Sequence, residues 1–149
     1  MRQIRSVALF TLVIAIGTSV ALAHVGVYPG LSTAGATVRY RIHVPTEGNV
    51  STVRIELEVP AGFVISSVEP NEGWKEEQRK DSAGRIVGLI WSGGSIKPKL
   101  RSDFFLVGKN PSRPGMLAWK VIQIYEDGTE SKWSGEKGSR TPAPVTDVE

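Results

Sequence analysis

Two stretches alternate so regularly that they determine the secondary-structure class. Val38, Tyr40, Ile42 and Val44 interleave with Arg39, Arg41 and His43; Val53, Ile55, Leu57 and Val59 interleave with Arg54, Glu56 and Glu58. A period of two puts successive side chains on opposite faces, so each stretch reads as a half-buried strand. Pro45-Thr46-Glu47-Gly48-Asn49 separates them, and Pro60-Ala61-Gly62 ends the second. Proline presets φ and cannot donate to a ladder, while glycine accepts positive φ, so both segments are turns. Further strand-like runs cover residues 63–68, 86–91, 104–107 and 116–125. Asp127-Gly128 then supplies a hairpin turn into a last strand at 130–133. No segment keeps a helical period over three turns. Short strands with turns every ~8–12 residues predict one all-β domain, an antiparallel two-sheet β-sandwich of immunoglobulin or fibronectin-III-like kind.

Residues 71–83 carry Glu76, Glu77, Arg79, Lys80 and Asp81 and read as a solvated loop or an exposed edge hairpin. Trp74, Trp91 and Trp119 read as core or edge packing. Residues 135–149 are polar, with Pro142 and Pro144, and are expected to form a flexible tail after a domain at 24–134.

The first 23 residues have the grammar of a cleavable signal peptide: Arg2 and Arg5, an apolar stretch at 7–16, then Ala21-Leu22-Ala23 with small residues at −3 and −1. Gly17, Thr18 and Ser19 shorten the apolar segment below the roughly 20 residues of a spanning helix. No later stretch is apolar enough to span a bilayer, so the expected product is exported, to the periplasm or the extracellular medium. Removing Arg2 and Arg5 from the 18 Lys+Arg leaves 16 against 15 Asp+Glu, a near-neutral chain with no basic cluster for nucleic acid.

Cysteine is absent and histidine occurs twice. That excludes disulfides, thiol nucleophiles and thiolate metal sites. A Ser-His-Asp arrangement would have to use His43, which the alternation puts on the polar face of its strand. Gly93-Gly94 lacks the Lys-Ser/Thr of a phosphate loop. A metal site fares better, because cleavage after Ala23 makes His24 the first residue. Its free amine and its imidazole Nδ1 can then close a chelate ring on one ion, which an internal histidine cannot do. Two nitrogen donors in a tetragonal set suit Cu(II), which also tops the stability order of first-row divalent metals. Further ligands must be oxygen or the other imidazole; Glu47 and His43 are the candidates, and spacing does not choose between them.

Six segments, in order, resemble the YcnI-like family of exported bacterial copper-binding domains. They are A-H-V-x-V-x-P at 23–29, Y-R-I-H-V-P-T-E at 40–47, G-W at 73–74, W-S-G-G-S-I at 91–96, F-F at 104–105 and Q-I-Y-E-D-G-T-E-S-K-W at 123–133. The resemblance implies a single-histidine brace for Cu(II) on a β-sandwich. By that resemblance His24 supplies amine and imidazole, Glu47 the carboxylate, and Trp133 an indole close to the metal. It further implies a metallochaperone or copper-homeostasis protein without turnover, with other exported copper-handling proteins as partners. Relatives often end in a membrane anchor, whereas this sequence reaches Glu149 without an apolar segment, so diffusible export is expected. An N-terminal-histidine copper oxidase or monooxygenase is the enzymatic alternative, and it would need His43 as a second imidazole. A metal-free binding module is the other alternative.

Overall fold

In a computed structural model the described residues are 23–149; the expected leader lies outside them apart from Ala23. Twelve strands follow in order: β1 Gly26–Tyr28, β2 Leu31–Ser32, β3 Thr37–Pro45, β4 Thr52–Glu58, β5 Val64–Val68, β6 Lys75–Lys80, β7 Ile86–Ile96, β8 Arg101–Lys109, β9 Gly115–Ala118, β10 Lys120–Tyr125, β11 Glu130–Trp133 and β12 Val145–Val148. One sheet has the order β1-β3-β8-β5, the facing sheet β11-β10-β4-β7-β6, and a small third sheet β2-β12-β9. All pairings are antiparallel except β12 with β2. The chain is an immunoglobulin-like β-sandwich, as its alternation predicts. Among the described residues no helix is long and apolar enough to cross a membrane.

The alternating residues line up as buried neighbours within each sheet. Tyr40 and Ile42 of β3 stand opposite Leu106 and Phe104 of β8, and Leu57 of β4 lies between Val121 of β10 and Leu89 of β7. All seven are buried. Removing one such aliphatic side chain from water contributes about 1.5–3 kcal/mol. Trp91 packs on Phe104 and Trp119 on Tyr40, each with ring centroids 4.9 Å apart. Trp74 covers Gly94 so closely that a Cβ there would come within 2.3 Å of the indole, while Gly93 takes φ +81°. The glycine pair therefore shapes β7 beneath a tryptophan.

The charged segment at 71–83 is the edge-hairpin alternative: β6 pairs with β7 and leaves five of its six side chains exposed. Two expectations need correction. The run at 116–125 is two strands in different sheets, because the chain turns at Trp119, whose fully buried indole donates to Thr146 Oγ1 at 3.1 Å. Residues 135–149 are also not a flexible tail: β12 lies between β2 and β9, and Thr146 and Val148 are buried. Thr146 accepts from Trp119 and donates to Pro29 O at 2.9 Å. Its inward position is polar, so hydrophobic alternation does not reveal it.

Candidate metal centre

Val25 and Val27 are buried, and β1 pairs with β3 through Gly26–His43, Val27–Ile42 and Tyr28–Arg41. This pairing holds the start of the domain against the edge of β3. His24, just ahead of β1, is exposed, and its ring lies 5.5 Å from that of Trp133, tilted by 55°. Trp133 ends β11 and is buried.

Glu47 sits in the turn that leaves β3, and the turn is held from several sides. The Thr46 N–H donates to Leu100 O at 2.9 Å, and Lys99 N–H donates to Thr46 O at 2.7 Å. The buried Thr46 hydroxyl donates to Ile96 O at 3.1 Å and meets Thr52 Oγ1 at 2.7 Å. Lys99 Nζ donates to the Glu47 carbonyl. The half-buried Glu47 carboxylate accepts from the Ala23 N–H, one residue before His24.

One side chain ties this turn to the indole. Gln123 of β10 is fully buried; its Nε2 donates to Pro45 O at 2.8 Å and Thr52 Oγ1 at 2.6 Å, while its Oε1 accepts from Trp133 Nε1 at 3.1 Å. Indole nitrogen only donates and a carbonyl only accepts, so the amide has one self-consistent orientation. Its position within Q-I-Y-E-D-G-T-E-S-K-W is visible in the sequence; its bridging role is not, because nothing there reports a buried polar contact.

His24, Glu47, Gln123, Tyr125, Trp133 and Arg140 line one pocket of about 160 Å³. The three expected site residues thus come together. His43 does not join them: it lies on the outer face of β3, with Nδ1 2.6 Å from Asp103 Oδ1, and does not line the pocket. Arg140 enters because β12 draws the preceding segment across this end of the sandwich, an approach hidden from a reading of 135–149 as a tail.

The donors fit a metal only under one condition. Among the described residues no three His, Asp or Glu side chains converge as a metal cluster. The pocket provides one imidazole and one carboxylate, the latter beside the backbone nitrogen that precedes His24. A free amine at His24 would supply a third donor.

A family model described as a domain of unknown function (DUF1775) matches residues 24–148. The copper-binding protein CutI of Bacillus subtilis (strain 168) is 33% identical over 133 residues, covering 88% of this chain and 65% of the relative, so the chain spans about two-thirds of that protein. A Nocardia farcinica protein described as having an immunoglobulin-like fold superposes with TM-score 0.70 at 25% identity, covering 84% of this chain and 97% of that one. A cohesin module from Clostridium perfringens superposes with TM-score 0.54 at 14% identity, covering 85% and 97%, a likeness of fold alone. With its domain matched almost end to end, the chain belongs to the DUF1775 family, the YcnI-like family its motifs resemble.

Proposed function

We propose that this protein is exported, is cleaved after Ala23, and binds Cu(II) through a single-histidine brace at His24 with Glu47 as the carboxylate ligand. One observation carries the reading: the Glu47 carboxylate meets the backbone nitrogen preceding His24, while Trp133 stands beside the His24 ring. The copper-binding name of the Bacillus subtilis relative supports the choice of metal. Cleavage turns the His24 nitrogen from an amide into an amine, so amine, imidazole and carboxylate face one ion. Glu47 offsets one positive charge. Gln123 holds the Pro45–Glu47 turn and orients Trp133, whose indole limits access from one side.

Copper is cargo in this reading, and the protein a metallochaperone or homeostasis protein that passes it to other exported copper-handling proteins. His43, held by Asp103 outside the pocket, gives no second imidazole for the oxidase or monooxygenase alternative. The test is Cu(II) titration of protein beginning at His24 against the same protein with an acetyl group added to the His24 nitrogen. The addition restores an amide and removes a direct ligand, so affinity should fall by more than the roughly 10–100-fold that losing an outer-shell partner of a ligand costs. Equal affinity rules out the brace. Acidification should release the metal from the His24-first protein, because protons compete for its ligands.

A further inference from the structure

The segment 134–144 is pinned: Gly135 N–H donates to Thr141 O at 2.9 Å and Ala143 N–H to Gly135 O at 2.9 Å, closing a small loop. Its Arg140 lines the His24–Glu47 pocket. Arg39, Arg41, Arg54 and Arg85 each have a carboxylate within 4.0 Å; among the described residues no ion pair involves Arg79, Arg101, Arg113 or Arg140, and of these four only Arg140 lines this pocket. Lys99 Nζ, on the Glu47 carbonyl, adds a second cation nearby. Glu47 is the single carboxylate lining this pocket, and in the copper reading it serves the metal.

The geometry points to a small-anion site: Arg140 makes the His24–Glu47 pocket a receptor for a small carboxylate, one oxygen toward the metal donors and the other on the guanidinium. The metal part of this inference rests on the proposed copper reading; the guanidinium part does not. A Cu(II) ion with neutral amine and imidazole and one carboxylate keeps a net charge of +1, and Arg140 adds another. Amine, imidazole and a carboxylate leave part of the coordination sphere open. A guanidinium N–H gives that second oxygen a charge-assisted hydrogen bond, and a guanidinium is less strongly hydrated than an ammonium, so less is lost on binding.

Formate is the probe. Its binding is followed by NMR of the His24 and Trp133 side chains, which line the same pocket and are kept in every variant, in metal-free protein, and by EPR in Cu(II)-loaded protein whose metal content is measured first. Wild-type protein should bind formate in both forms, more tightly when loaded. Arg140→Gln should weaken binding about tenfold or more, equivalent to the loss of one charge-assisted hydrogen bond, with Arg140→Lys in between. Circular dichroism establishes that both variants are folded. Equal formate affinity for wild type and Arg140→Gln in both forms overturns the anion site, whether or not copper binds. Arg140-dependent formate binding by a protein that takes up no Cu(II) refutes the copper reading and keeps the guanidinium site.

Discussion

The end of the sandwich around Gln123 and the edge hairpin of β6 and β7 are both polar, and they are built in opposite ways. At the first, Thr46, Thr52 and Gln123 are at most 1% exposed, and each side chain is satisfied by a specific partner. At the second, ion pairs such as Lys75–Glu77 at 3.0 Å and Arg85–Asp81 at 2.9 Å lie in solvent. Buried polar atoms are costly to leave unpaired, so a satisfied network fixes geometry; exposed pairs contribute little. Charged side chains along an exposed β6 instead discourage pairing with another chain. The rigid polar end carries the candidate site, and the charged hairpin guards an edge.

Breaking the buried network should have the largest effect. Gln123→Leu leaves Trp133 Nε1 and Pro45 O without their partner, and should cost about 3 kcal/mol in urea unfolding, from two unsatisfied buried groups. A loss below about 1 kcal/mol, the net worth of an ordinary hydrogen bond, would erase the contrast. Trp133→Phe keeps an aromatic ring but removes one donor and some volume. About 1–2 kcal/mol is expected from the lost bond and imperfect refilling, together with altered ring shifts of His24 by NMR. Unchanged His24 shifts would separate the indole from the site.

The smallest effect belongs to the hairpin. Asp81 is held below the usual carboxylate range, first by the backbone N–H of Arg85, then by the Arg85 side chain and the Ala83 N–H. A lowered folded-state pKa gives stability that is present at neutral pH and disappears as pH falls through it. Asp81→Asn should therefore lower Tm only slightly at pH 7, with the gap to wild type closing on acidification. A gap that widens in acid would have the wrong sign for this carboxylate.

The strands of the sandwich follow from alternation because their inward faces are apolar, as in Tyr40-x-Ile42-x-Val44. Where an inward residue is polar the pattern fails: Gln123 and Thr146 are both fully buried, and both earn their places through partners remote in sequence. His24, Glu47 and Trp133 are visible as candidate site residues, His24 through a chemical consequence of the expected cleavage and all three through motif resemblance. Arg140 is not, since its approach depends on a four-residue strand whose hydrophobic signal is two valines.

The parallel pairing of β12 with β2 has a mechanical side. Asp147 N–H to Gly30 O, Ala34 N–H to Glu149 O and Glu149 N–H to Ser32 O, at 2.8, 2.8 and 2.9 Å, run between segments near opposite termini. Tension applied between those termini would pull the two strands past each other lengthwise. The three bonds would then share the load together, in shear, instead of opening one by one like a zip.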